Sequence, residues 1–268
     1  MDEEAKVAEK IRNQLSSVKH KIIILSGKGG VGKSTVTANL AAILAKKNQL
    51  VGIFDYDFHG PAIPKMLGVP GKKLVSSTSG FLPVIAVLGI KVISIAFLLP
   101  DEKTPVIWRG PLKYKALIEF LTYTDWGRLD YLLFDLPPGT GDEALNIAKM
   151  IPEVDGAIVV TIPSDVSRIA VEKSAEFCKS LNIRLLGVIE NMSYFKCPNC
   201  GAEYDIFGRK AAEKISLDEG IPLLGEIPLD PNISKSMDQG EPIILRYPDS
   251  PASKEFERIA EKVIELLK

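Results

Sequence analysis

Hydrophobic positions along the chain fall into short, β-branched runs separated by longer stretches in which apolar residues recur every three to four positions. The runs at 21–26, 50–55, 91–96, 131–135, 157–162, 184–190 and 222–227 read as strands. Several are apolar at consecutive positions, as expected for parallel strands covered on both faces. Between them, 33–46, 112–121, 142–150, 167–181 and 208–218 carry helical periodicity. Helices are also predicted at 3–15 and 253–267, close to the two ends. Repeated strand–helix alternation predicts an α/β fold with a doubly wound, mostly parallel sheet and helices on both faces. With no composition shift, Gly/Ser linker or internal repeat, one domain over 1–268 is expected, led by a helical extension over 1–18.

One segment interrupts this pattern, because 81–100 is almost wholly apolar and about as long as a membrane span. Pro83, Gly89 and Lys91 break it, and its two β-branched runs, 82–87 and 91–96, flank Leu88-Gly89. A buried hairpin is the expectation. The last predicted helix puts Phe256, Ile259, Ala260, Val263, Ile264 and Leu267 on one stripe. Its polar face balances glutamates against lysines and arginine, which predicts packing on the sheet rather than on a membrane surface.

Composition narrows the classes further. The 268 residues are 46% hydrophobic and 25% charged, which excludes disorder and leaves ample core. Lys and Arg total 33 against 34 Asp and Glu, for a net charge of −1, so binding nucleic acid through bulk charge is not expected. No apolar signal region precedes residue 21, and three cysteines cannot build a disulfide framework. A reducing, cytoplasmic setting is expected, with no membrane and no nucleic-acid partner.

The strongest chemical signal follows the first strand. Gly27-Lys28-Gly29-Gly30-Val31-Gly32-Lys33-Ser34-Thr35 matches GxxxxGK(S/T) between a strand and an apolar-periodic helix, the context a phosphate-binding loop requires. Its backbone N–H groups and the helix N-terminus favour phosphate oxygens. Lys33 is expected on the β- and γ-phosphates and the Ser34 hydroxyl on Mg²⁺. Asp135 ends an apolar strand, where a carboxylate serving that metal belongs. The turn Pro137-Pro138-Gly139-Thr140-Gly141-Asp142 follows, with Pro138 and Gly139 as switch residues whose backbone amides would meet a γ-phosphate. Asp55 and Asp57 end the second strand on alternate positions, one to approach the metal, assigned to Asp55, and one to orient the attacking water, assigned to Asp57. Capping of the next helix is the alternative for this pair. The chain has no NKxD for guanine, so ATP is the expected nucleotide, with Asn191 and Pro228 near its base.

These residues resemble the deviant phosphate loop of the ParA/MinD/nitrogenase-iron-protein class, in which an additional early lysine, here Lys28, reaches across a dimer to the partner's nucleotide. The segments Asp55-Tyr56-Asp57-Phe58-His59-Gly60-Pro61-Ala62-Ile63-Pro64, Trp108-Arg109-Gly110-Pro111, Asp135-Leu136-Pro137-Pro138-Gly139-Thr140-Gly141-Asp142 and Glu190-Asn191-Met192-Ser193-Tyr194-Phe195, with Cys197-Pro198-Asn199-Cys200-Gly201, resemble the Mrp/ApbC iron-sulfur cluster carriers. The resemblance covers residue 19 onward. It implies an ATP hydrolase of low turnover that dimerises through its nucleotide faces. It further implies a [4Fe-4S] cluster held between two CxxC pairs and handed to apo iron-sulfur proteins. Leu136 departs from the small polar residue many relatives have there.

Read without the family, Cys197 and Cys200 form a knuckle, within an insertion at about 192–206, that presents two thiolates to one metal. Zinc and iron-sulfur centres take four ligands. Cys178, His20 and His59 are the other candidates, Cys178 reading as a buried small hydrophobe. Two chains related by a two-fold axis bring four cysteines together, so a homodimeric site is expected. Structural Zn²⁺, an exchangeable [4Fe-4S] cluster and a redox dithiol remain open from the residues alone, and the resemblance favours the cluster. The competing function is a ParA/MinD-like spatial-regulator ATPase with a structural zinc clamp.

Overall fold

A computed structural model describes residues 3–58, 60–78, 80–100, 108, 110–208 and 211–268. In chain order the elements are α1 (Glu3–Leu15), β1 (Val18–Leu25), α2 (Lys33–Lys46), β2 (Val51–Asp55), α3 (Ile63–Met66), β3 (Val75–Ser77), β4 (Gly80–Leu82), β5 (Val84–Ile85), β6 (Lys91–Ser94) and α4 (Gly110–Tyr123). There follow β7 (Leu129–Asp135), α5 (Asp142–Met150), β8 (Gly156–Thr161), α6 (Asp165–Ser180), β9 (Leu185–Glu190), β10 (Phe195–Lys196), β11 (Glu203–Tyr204), α7 (Ala211–Glu219), β12 (Leu223–Glu226), α8 (Pro231–Asp238), α9 (Ile243–Arg246) and α10 (Pro251–Leu266).

Eight strands form one sheet in the order β12-β9-β8-β1-β7-β2-β6-β5. Every neighbouring pair is parallel except β5 with β6. The period of two along β1 divides the core: Ile22 and Ile24 join one apolar cluster, Ile23 and Leu25 the other. Residues of α2, α3, α8, α9 and α10 fill the first cluster, and residues of α1, α4, α5, α6 and α7 the second. Helices therefore cover both faces, which explains why the central strands are apolar throughout. The leading helix is part of this packing, with Ile11 and Leu15 buried in the second cluster. In α10, Phe256, Ile259, Ala260 and Val263 are buried against the first cluster, as the stripe predicts.

The apolar 81–100 segment contains the expected hairpin, with Val84 opposite Val92 and Ile85 opposite Lys91. Its strands are shorter than expected. Leu82 pairs instead with Val75 in a separate two-stranded ribbon, and Ser94 ends β6 because its side chain accepts the Ala96 N–H at 3.2 Å, starting a 3-10 turn over Ile95–Leu98. Among the described residues no helix is long and apolar enough to cross a membrane. Helices α3, α8 and α9 were not apparent from periodicity, although Asp230 and Pro231 supply an N-cap and first-turn proline for α8, with Asp230 accepting the Asn232 N–H at 2.8 Å.

Candidate functional site

Register explains how the site assembles. Asp135 of β7 lies level with Ile24 of β1 on one side and with Asp55 of β2 on the other. The phosphate loop leaves the end of β1, so the loop and both carboxylates meet at the carboxyl edge of three adjacent strands. Ser94 of β6 is level with Asp55 and donates its hydroxyl to Asp55 Oδ2 at 2.8 Å.

Asp135 is fully buried and collects several donors. Lys33 Nζ lies 2.7 Å from Oδ2, the Ser34 hydroxyl donates to the same oxygen at 2.6 Å, and the Thr37 hydroxyl donates to Oδ1 at 2.6 Å. Thr37 was not singled out from the sequence, yet it lies one helical turn beyond Ser34 and faces the same way. Asp55 has weaker support, from Ser94 and from the Asp57 N–H at 3.3 Å. Burial, then the neighbouring Asp135 charge, push Asp55 up to about 8, against which Lys33 acts only partly. Near neutral pH, burial and the neighbouring carboxylate therefore favour the protonated form of Asp55. One hydroxyl and two carboxylates are a hard oxygen set of the type Mg²⁺ prefers, so Ser34, Asp55 and Asp135 fit that metal.

The loop borders an open cavity of about 200 Å³ lined by Ser26, residues 29–35, Asp57, Ala62, Met66 and Pro138. The buried Ser26 hydroxyl has no hydrogen-bond partner among the described residues. Gly32 has φ +81, and a Cβ there would land on the Asn191 side-chain amide, so this position accepts only glycine. Asp57 lines the same cavity. Lys28 is half-buried and outside the residues lining the cavity of its own chain.

A second cavity of about 410 Å³ adjoins the first through Thr35, Ala62 and Met66. Asn191, Met192 and Pro228 line it beside α8 residues Ile233 and Met237, so the expected base contacts do lie together next to the phosphate loop. The Asn191 amide is already engaged, donating from Nδ2 to the Val31 carbonyl at 2.9 Å.

The switch turn differs from expectation. The Gly139 amide, expected to be open to a γ-phosphate, donates to the Ser26 carbonyl at 2.7 Å, a geometry that its φ of +90 permits. Leu136 is fully buried and its N–H bonds Ile24 O at 3.3 Å, which closes the turn onto the root of the phosphate loop.

Cys197 and Cys200 sit at the tip of the β10–β11 ribbon, Cys200 exposed. Gly201 N–H donates to the Cys197 carbonyl at 2.9 Å and Cys197 N–H to Ala202 O at 2.8 Å, forming the knuckle. The backbone N–H groups of Cys200 and Asn199, with the Cys200 thiol, hold the Cys197 thiol below its ordinary range. Among the described residues no third His, Cys, Asp or Glu joins them in a metal-sized group. His20 is on β1 away from the loop end, 3.3 Å from Asp155 and stacked on Tyr131. Cys178 is buried in α6 and pushed up to about 12 by that burial, as a core residue should be. His59 and Arg109 lie outside the described residues. Cys197 lines a groove of about 640 Å³ whose wall, Pro228-Leu229-Asp230, is also a wall of the cavity that holds Asn191.

Comparison with known proteins agrees with this geometry. Residues 17–264 match the family described as ParA, NUBPL iron-transfer P-loop NTPase. An iron-sulfur cluster carrier protein of Saccharolobus solfataricus is 52% identical over 258 residues, covering 96% of this chain and 87% of the relative. One from Methanocaldococcus jannaschii is 52% identical over 256 residues, covering 96% and 88%. Among solved structures, a nucleotide-binding protein of Archaeoglobus fulgidus, in complex with ADP and with Co found by PIXE, superposes with a TM-score of 0.81 at 40% identity over 93% of this chain and 96% of the other. The cell division ATPase MinD of Pyrococcus furiosus gives 0.66 at 25% identity over 92% and 99%.

Proposed function

From its membership of the NUBPL iron-transfer P-loop NTPase family, to which this chain belongs, we propose that the protein is an ATP-hydrolysing carrier that holds a [4Fe-4S] cluster across a homodimer and passes it to apo iron-sulfur proteins. The observation that carries this reading is the cysteine knuckle, with Cys200 exposed and Cys197 half-buried. It offers two soft sulfur ligands on the β10–β11 ribbon, half the ligand set that a cluster takes, in a groove that shares the wall Pro228-Leu229-Asp230 with the cavity adjoining the phosphate loop. A second copy supplies the other two thiolates. The names of the relatives point to the same cargo.

In this reading the cluster is cargo and ATP is the substrate. The amides of 29–35 cradle the phosphates, Lys33 turns from Asp135 to the β- and γ-phosphate oxygens, and Lys28 reaches the nucleotide of the partner subunit. Ser34, Asp55 and Asp135 hold Mg²⁺, which neutralises charge on the phosphate oxygens when bound. Asp57 orients the attacking water, and Pro138-Gly139 responds to the γ-phosphate by giving up the Gly139–Ser26 hydrogen bond. Asn191 and Pro228 border the base. Slow turnover follows if Lys28 acts only when two nucleotide faces meet.

The test is anaerobic reconstitution with iron and sulfide, in wild type, Cys197→Ser and Cys200→Ser, followed by incubation with an apo iron-sulfur enzyme. About four irons and four sulfides per dimer, absent from both variants and passed on with recovery of the enzyme, are expected. Tight zinc retention with no iron bound would replace the carrier by an ATPase with a structural clamp.

A further inference from the structure

The residues just after β9 touch both sites at once. Glu190 ends that strand with its carboxylate fully buried. Its Oε1 accepts the Ser193 hydroxyl at 2.7 Å, and its Oε2 accepts the Ala212 N–H at 2.7 Å, in the first turn of α7. Ser193 precedes the cysteine ribbon and Ala212 follows it, so one carboxylate ties down both ends of the segment that carries Cys197 and Cys200. Asn191, the next residue, holds the phosphate loop through Val31 O at 2.9 Å, while its own N–H is anchored to Thr161 O at 2.8 Å. Met192 lies between these two attachments with φ +54, an uncommon left-handed conformation for a non-glycine, and its side chain lines the cavity beside the loop. The ribbon base is tied further, by Ser193 N–H to Ile227 O at 2.9 Å and Leu229 N–H to Tyr194 O at 2.7 Å, onto the wall that the two cavities share.

We infer that Glu190 and Asn191 are positioning residues that couple the phosphate loop to the cysteine segment, so that nucleotide binding and metal binding at Cys197 and Cys200 change each other's affinity. This rests on the assignment of the two sites made above. Hydrogen bonds to a buried carboxylate are short and strong, so the ends of the ribbon follow Glu190 rather than drift from it. A phosphate that reshapes the loop moves the Val31 carbonyl, and the Asn191 amide carries that movement into the chain one residue from Glu190. Coupling of this kind is a difference in affinity and is reciprocal.

Co²⁺ reports it without any cluster, through the thiolate-to-cobalt absorption band of the full-length protein. Titrations with and without saturating Mg–ATPγS should differ in Co²⁺ affinity by a factor of about 5 to 150, and Co²⁺ should change ATPγS affinity by the same factor. Asn191→Ala and Ser193→Ala should bring that factor toward one, as should Glu190→Met, which keeps the length of the side chain and loses both acceptors. Glu190→Gln should retain it, because an amide can accept from Ala212 N–H and donate to Ser193 Oγ. Circular dichroism establishes which variants fold, and Asn191→Ala with Ser193→Ala decide the matter if Glu190→Met does not. A factor of one in wild type, or an undiminished factor in both of those variants, overturns the inference. Loss of cluster transfer with the coupling factor intact would instead count against the carrier reading alone.

Discussion

Asp55 and Asp135 compete for one ammonium, and replacing the losing carboxylate should reveal it. Lys33 Nζ sits 2.7 Å from Asp135, which also receives the Ser34 and Thr37 hydroxyls, whereas Asp55 receives Ser94 and a backbone N–H. Burial and the Asp135 charge raise Asp55 from 3.8 to about 8, so the folded chain keeps a proton there that the unfolded chain releases near 3.8. The stabilisation from this proton is complete below the unfolded value and is lost as pH rises through the folded one. Between those limits one extra proton is bound on folding, and wild-type stability falls by about 1.4 kcal/mol per pH unit relative to a residue that does not titrate. Asp55→Asn keeps the size of the side chain and removes the titration. Guanidinium denaturation of both proteins in EDTA should therefore show the variant gaining on the order of 3 kcal/mol on wild type between about pH 5 and pH 7. Parallel stability profiles across that range would mean that Asp55 is ionised in the folded chain, and the charge assignment of the site would be wrong.

Gly32→Ala forces a side chain into φ +81 and onto the Asn191 amide, so it should abolish binding of a fluorescent ATP analogue while the chain remains folded; retained affinity would refute the tight loop–Asn191 contact. Thr37→Val removes one donor from the buried Asp135, at a cost of roughly 1.5–3 kcal/mol in the denaturation free energy. Phe256→Ala empties a fully buried position between α10 and the sheet and should cost about 3–5 kcal/mol by the same assay, with ATP affinity unchanged.

The parts of the molecule legible from sequence are those whose determinants are local. The helix after the phosphate loop runs over Lys33–Lys46 as predicted, because a left-handed Gly32 ends the loop and the apolar period starts at once. Asp135 was recognisable because it terminates a continuous apolar run. Helix α9 was not, since four residues cannot display a period and it is held by the Asn39 side chain, which accepts the Ile243 N–H at 2.9 Å from across the fold. Ser94 could be placed on Asp55 only once β6 was known to lie beside β2. Gly139 looked available to phosphate because nothing local shows that the Ser26 carbonyl is within reach of its amide. Glu190 was visible only as the first residue of the 190–195 segment, which says nothing of its partners, and its bond to Ala212 spans a segment whose path is set by the cysteine ribbon.

Three groups that a nucleotide needs are already committed to protein acceptors: Lys33 Nζ and Ser34 Oγ to one oxygen of Asp135, and the Gly139 amide to Ser26 O. Under the proposed function each would be exchanged for a phosphate or metal contact, so binding would yield only the difference between the two sets. Removing Lys33 from a fully buried Asp135 leaves an uncompensated carboxylate, a change that costs on the order of 3–5 kcal/mol when nothing replaces the cation. Under the proposed function, Mg²⁺ held by Ser34, Asp55 and Asp135 would supply the positive charge that Lys33 withdraws from Asp135, so nucleotide and metal would favour each other's entry. Under that function, release of Gly139 would free the switch turn from the root of the loop at the same moment that phosphates meet the Val31–Asn191 hydrogen bond. Under the proposed function the triphosphate would thus be read at two places, at Gly139 in the turn after β7 and at Asn191 just after β9, and the second adjoins the cysteine ribbon.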